Sequence, residues 1–325
     1  MRPLSLQGHT RPLTRVRINQ EGDLLFTASK DHFPAVWFLE NGERIGTFDG
    51  HTGVIWDIDI SWDTRHLVSS SGDPSVRVWD VQTGQELSML QVPTVGRSVS
   101  MSYSGNLLAY TTTKVALTPP KLFIADIRDA AHVSGDSTIE ISLDSVGANC
   151  CTFTHMDDTV VIGTTNGILQ QFDLRNPSDV VNFSPVHNNT INDLQCSRDE
   201  GLLVSSSNDR TAKLHDAKDL THLKTFKRGR PVNSAAISPT HPYVVVGGGE
   251  EAMTVTQTAA SAGQFETKLF HAVYETEFAH FKGHFGPVNT VAFSPDGKTI
   301  VTGSEDGFVR VQEMDKEYFD YDADY

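Results

Sequence analysis

Histidine, aspartate and hydroxyl residues recur at fixed offsets along this chain, and these are the side chains that acid–base and nucleophilic catalysis employ. One set is His9, Thr27 and Asp31, a second His51, Ser69 and Asp73, and a third His284, Thr302 and Asp306. Ser205 with Asp209 forms a partial fourth. A Ser-His-Asp triad needs one exposed nucleophile and an oxyanion hole. An active site has no reason to recur at a regular interval, and these sets do. The pattern fits a structural unit instead. In it the histidine bonds both the aspartate and the hydroxyl, and the hydroxyl reaches the indole N–H of a tryptophan, Trp37 or Trp79. His215 and Gln312 stand at the tryptophan position of two later copies. No catalytic residue is expected.

The elements that position these residues follow from the period. Gly8-His9 recurs as Gly50-His51, Asp31 as Asp73 and Trp37 as Trp79, each 42 residues on. A period of about 40–45 residues with Gly-His early and Trp-Asp late marks a four-stranded propeller blade. Weaker copies carry Ser104-Gly105-Asn106 in their first turn, Asn166 before Phe172-Asp173, Asp209 before His215-Asp216, and Gly247-Gly248-Gly249. Gly283-His284 opens the last. Seven units start near residues 8, 50, 95, 147, 187, 231 and 284. Short β-branched runs such as Val288 to Phe293 and Thr299 to Gly303 flank turns such as Ser294-Pro295-Asp296-Gly297. The fold expected is all-β: a seven-bladed WD-repeat β-propeller over residues 1–313, closed by Pro3 to Leu6 as the outermost strand of the last blade. Glu250 to Ala279 reads as an insertion into the sixth blade, Thr113 to Pro120 as a smaller loop, and 314–325 as an acidic, flexible tail.

Composition narrows the function further. Forty-one acidic residues against 26 basic ones give a formal charge of -15, which opposes autonomous nucleic-acid binding. Gly247-Gly248-Gly249-Glu250 lacks the Gly-Lys-Ser/Thr of a phosphate loop, and the 13 histidines show no metal-ligand spacing, so neither cofactor nor metal is expected. Cys150, Cys151 and Cys196 form no disulfide framework and read as reduced structural thiols, the adjacent pair pointing to opposite strand faces. The opening Met-Arg-Pro-Leu-Ser-Leu has no apolar signal core, and no run is apolar enough to span a membrane; the expectation is a soluble intracellular protein.

Several stretches go beyond a generic repeat. Gly8 to Thr14, Glu21 to Phe26, Asn41 to Arg44 and Asp49 to Trp56 resemble the first two blades of one family, the WD-repeat subunit i of eukaryotic translation initiation factor 3. The sixth-blade insertion resembles it more specifically, through Gly247 to Ala252, Val255-Thr256, Gly263 to Glu266 and Phe270-His271. Lys282 to Ala292, Glu305 to Arg310 and Tyr318 to Asp320 extend the resemblance across the chain. It implies a non-catalytic cytoplasmic scaffold that binds subunits b and g of that factor and supports mRNA recruitment and scanning on the small ribosomal subunit. It also implies that partners meet the fifth and sixth blades, at Asn208, Asp209, Lys227, Arg228 and Arg230. Phe265, Phe270 and Tyr274 are further interaction candidates, because long loops on rigid scaffolds carry function. A second reading is a substrate receptor of a cullin-type ubiquitin ligase, since Asp126-Ile127-Arg128 and Asp173-Leu174-Arg175 resemble the end of an adaptor-binding box.

Overall fold

The computed structural model describes residues 3–130, 133, 138–143, 146–249 and 265–319. Within them, strands assemble into seven four-stranded antiparallel sheets. The innermost strands are Leu13–Ile18, Ile55–Ile60, Gly96–Met101, Ala148–Thr154, Ile191–Cys196, Val232–Ile237 and Val288–Phe293. In six sheets the chain runs outward strand by strand. The seventh takes its outer strand from the other end of the chain: Leu4–Gln7 pairs with Phe308–Glu313, Leu4 opposite Val311 and Gln7 opposite Phe308. The molecule is the seven-bladed propeller expected, with the closing strand one residue further along than Pro3 to Leu6.

Blade cores lie in the seams. The second strands, such as Leu24–Ser29 and His66–Ser71, are buried along nearly their whole length because both faces pack against neighbouring sheets. Seven apolar clusters result, one per seam. The closing seam holds Leu6, Leu13, Val16, Trp37, Val301 and Val309, so the N-terminal strand is anchored by packing as well as by its ladder. Cys150 and Cys151, at 2% and 3% exposure, enter the clusters on opposite sides of the fourth blade.

All seven innermost strands carry a register shift at their second residue, for example between Leu13 and Arg15 and between Ile55 and Asp57. A bulge of this kind re-aims the extra side chain. Here it turns Arg97, Asn149, Asn192, Asn233 and Asn289 sideways toward the neighbouring blade.

Two expectations about boundaries change. Glu250 to Ala279 is not all insertion: Thr267–His271 and Glu277–Phe281 are the regular third and outer strands of the sixth blade. The remainder of that stretch, residues 250–264, lies outside the described residues, as does 320–325 of the tail. The first part of the tail is docked. A helical turn, Lys316–Phe319, follows Met314, and Met314 and Tyr318 are buried in the seam of the sixth and seventh blades. His241 and Tyr243 pack on Tyr318 with ring centroids 5.6 and 5.2 Å away.

Candidate functional site

The repeated polar sets lie between the strands that carry them. In the first blade His9 Nδ1 lies 2.8 Å from Asp31 Oδ2 and its Nε2 2.7 Å from Thr27 Oγ1, while Trp37 Nε1 donates to the same hydroxyl at 2.9 Å. The second blade repeats this with His51, Asp73, Ser69 and Trp79 at 2.8, 2.7 and 2.8 Å. In the seventh, His284 meets Asp306 at 3.0 Å and Thr302 at 2.8 Å. An ionised aspartate only accepts, so Nδ1 carries the proton and Nε2 accepts from the hydroxyl, which in turn accepts the indole N–H. Each aspartate also accepts from the backbone N–H after its histidine, such as Thr10 at 3.1 Å and Thr52 at 3.0 Å. Burial alone would raise these carboxyls; the histidine and backbone hydrogen bonds outweigh it and hold Asp31, Asp73 and Asp306 below the usual carboxylate range. The glycine before histidine is required by contact. A Cβ on Gly8 would sit 2.4 Å from the Trp37 ring.

The fifth blade holds a residue the sequence reading passed over. His187 stands 2.9 Å from Asp209 and 2.8 Å from Ser205, completing the partial fourth set. It follows Val186 rather than glycine, which hid it. The signal was its offset of 22 residues from the aspartate, the same as in the other three sets. His215 fills the tryptophan position and bonds Ser205 from the other side at 2.9 Å. Ser205 thus donates to His187 and accepts from a neutral His215. Burial foremost, then the neighbouring His187, pushes the His215 imidazole down to about 3.

The hydroxyls of Thr27, Ser69, Ser205 and Thr302 are all at 0% exposure. None of them faces a substrate, and each already has two partners or a strand packed over it. In the blades that lack the set, apolar residues occupy the same positions. Ile162 and Phe172 in the fourth blade and Val246 and Phe270 in the sixth join the seam clusters.

A second polar system rings the channel and was not foreseen. Arg15 at 7% exposure lies between Asp57 of the second blade, Nε to Oδ1 2.7 Å, and Asp193 of the fifth, Nη1 to Oδ1 2.5 Å. Ser98 and Ser234, from the third and sixth blades, donate to the outer oxygens of Asp57 and Asp193 at 2.7 and 2.6 Å. Burial opposes the Arg15 charge, but the two aspartates outweigh it and hold the guanidinium protonated. Just above, the bulged asparagines bridge seams. Asn149, Asn192, Asn233 and Asn289 donate to the carbonyls of Ile191, Val232, Val288 and Leu13, each in the following blade, at 2.8–3.2 Å. Between the second and third blades, Arg97 lies 4.4 Å over the Trp56 ring.

Of the partner-surface candidates, some are exposed and some are not. Lys227 is exposed and Arg230 and Phe265 are half-buried. Tyr274 is 46% exposed beside His271 at 4.6 Å. Phe270 is corrected: at 3% exposure it packs on Phe226 at 5.6 Å, because it occupies the buried position of the missing tryptophan. Arg228 is corrected too. At 5% exposure it donates to the Glu266 carbonyl, so it ties the link after His222–Lys227 to the residue before Thr267–His271 rather than presenting charge. Asn208 Oδ1 accepts from Asn192 at 2.7 Å and Asp209 belongs to the His187 set, so both serve the scaffold. Arg128 and Arg175 fold back onto Asp126 and Asp173 two residues before them.

The fifth and sixth blades nevertheless share an open groove of about 710 Å³. Leu214, Leu223, Ile237, Pro239, Pro242 and Val273 line it, with Leu223 43% and Val273 53% exposed. No group of three or more histidine, cysteine, aspartate or glutamate side chains that could hold a metal occurs among the described residues, and no helix there is long and apolar enough to cross a membrane.

Fold and polar sets together define a WD-repeat β-propeller in which histidine, aspartate and hydroxyl hold blades in shape. The family model EIF3I matches residues 1–324. Over the full length of both chains, this chain is 56% identical to a protein of Brugia malayi and 50% identical to one of Caenorhabditis elegans, each named eukaryotic translation initiation factor 3 subunit I. A Drosophila melanogaster protein of the same name is 45% identical over 98% of this chain and 99% of its own length. The chain belongs to the EIF3I family.

Proposed function

We propose that this chain is a subunit of translation initiation factor 3 that works in the cytoplasm as a non-catalytic assembly platform, binding subunits b and g and supporting mRNA recruitment and scanning on the small ribosomal subunit. The observation that carries the reading is the groove between the fifth and sixth blades. It is apolar, open and built on rigid strands, on a molecule whose catalytic-looking residues are buried. Such a groove takes the apolar face of a partner helix, which lays anchors at i, i+3 and i+4 into it. Leu223 and Val273 at its rim are the anchors' contacts. Lys224, which lines the groove, and Glu275, 3.6 Å from it, give it a polar edge. Full-length identity to proteins that bear the subunit name supports the assignment to that complex.

The test is affinity purification of the tagged chain from cells, followed by mass spectrometry and gradient sedimentation. The expected result is recovery of the other subunits of initiation factor 3 and comigration with small ribosomal subunits. Loss of those subunits in a folded Leu223→Glu variant supports the groove. Absence of both partners from the unaltered chain sinks the function; recovery of an adaptor that depends on Arg128 and Arg175 favours the ubiquitin-ligase reading.

A further inference from the structure

At one end of the channel the turns after the innermost strands surround a cavity of about 280 Å³. That is below the roughly 300–1,000 Å³ of small-molecule clefts and suits one long side chain. On its rim Trp62 and Tyr103, 39% and 42% exposed, bring their rings to 4.4 Å. Elsewhere the protein places guanidinium groups over Trp37 and Trp56, at 5.4 and 4.4 Å; among the described residues none lies over Trp62 or Tyr103. Gln20 lines it, and its Oε1 is sealed from solvent without a hydrogen-bond partner among the described residues, an acceptor that gains by turning toward a donor in the cavity.

The remaining lining favours a donor as well. Glu200 contributes a carboxylate of which one oxygen accepts the Met156 N–H at 2.6 Å, whereas Asp59 is spent within the protein, one oxygen on the Met101 N–H at 2.8 Å and the other beside Arg17. The two cations that line the cavity are engaged by the protein. Arg17 lies 3.4 Å from Asp59, and Arg198 Nη1 donates to the Pro295 carbonyl at 3.1 Å. Around the cavity the whole chain carries a charge of -15, which draws in cationic segments.

We infer that this mouth receives an arginine side chain from an extended, basic segment of a partner protein, with the guanidinium stacked on the Trp62–Tyr103 rim and the Gln20 amide turning its oxygen outward to accept from it. Arginine suits it better than lysine, since a planar guanidinium both stacks on aromatic faces and offers several in-plane donors. The site lies apart from the groove of the fifth and sixth blades, except that Ser197 and Arg198 touch both.

The full chain labelled with 5-fluorotryptophan gives a direct assay, because it holds four tryptophans and Trp62→Phe assigns the relevant ¹⁹F resonance. The probe is acetyl-Gly-Arg-Gly-amide, with the lysine and glutamate versions as comparators. The expected result is a saturable shift of the Trp62 resonance alone, about tenfold weaker for the lysine peptide and for Gln20→Leu, as the loss of one charge-assisted hydrogen bond implies. Tyr103→Ala, at an exposed position, weakens it similarly without lowering the melting temperature. No saturable shift up to about 10 mM peptide, far weaker than any specific contact, overturns the inference. So does an equal shift with lysine or glutamate peptide, or one that survives Gln20→Leu and Tyr103→Ala.

Discussion

Replacing Asp209 by alanine tests whether the repeated polar sets hold the scaffold. Its carboxylate accepts from His187 Nδ1 at 2.9 Å, Thr211 Oγ1 at 2.6 Å, and the backbone N–H groups of Asn188 and Thr211 at 3.1 and 3.0 Å. The backbone of Asn188 is at the surface and water can replace the lost acceptor there. His187, at 0% side-chain exposure, cannot be rehydrated. Hydrogen bonds to a charged group contribute about 1.5–3 kcal/mol each, and a buried donor left unsatisfied costs about 1–3 kcal/mol. Counting only His187 and the Thr211 hydroxyl, the variant loses about 3 kcal/mol. Asp219, whose carboxylate lies at the surface and accepts from the exposed Thr221, is the control; Asp219→Ala stays within about 0.5 kcal/mol of the unaltered chain. Equilibrium unfolding in urea, followed by tryptophan fluorescence and circular dichroism, reads both. If Asp209→Ala matched Asp219→Ala, the sets would be ornaments on a fold held by apolar seams alone. The same numbers warn against charge reversal at Asp209 as a probe of partner binding, since the scaffold fails first.

Three further outcomes follow from the geometry. His215 is neutral in the fold with its imidazole held down at about 3, whereas the unfolded chain takes the proton near 6.5; stability is therefore full above about pH 6.5 and falls on acidification through that window, by about 2 kcal/mol at pH 5. His215→Gln, the residue the seventh blade uses at this position, flattens melting temperature against pH between 7 and 5. Arg15→Leu leaves Asp57 and Asp193 buried without their countercharge and costs about 3–5 kcal/mol; replacing both aspartates by serine, as at Ser98 and Ser234, recovers part of it in the same urea assay. Deleting residues 1–7 strips the outer strand from the seventh blade and exposes the seam around Leu6, worth at least about 2 kcal/mol from that side chain alone; limited proteolysis should then cut first near Phe308 to Glu313.

How much of this was readable from residue order depends on whether the information is local. Gly-His, the β-branched runs and Trp at a fixed step are local, so blade number, strand order and the closing N-terminal strand were all legible. His187 was legible too, by offset rather than by its neighbours, because the constraint is reach to Asp209 and Ser205 and not the residue before it. Phe270 misled because an aromatic after a long insertion looks like a loop residue; its register opposite Val244 makes it the core substitute for tryptophan. Arg228 misled for the opposite reason, a charged residue whose stem is buried and whose head donates to the Glu266 carbonyl. The Arg15–Asp193 pair spans 178 residues and the channel itself, and no period links arginine in one blade to aspartate in another. The cavity behind Trp62 and Tyr103 is likewise a product of turns that meet only when the ring closes.

Amide hydrogen exchange, measured on the chain alone and again within the assembled initiation factor, addresses the whole account at once. Slow exchange at Thr10, Thr52, Asn188 and Phe285, unaltered by assembly, together with new protection along 222–227, 237–244 and 271–274, is the predicted pattern. Fast exchange at those four amides in the free chain, or assembly that leaves the groove segments unprotected, would contradict it.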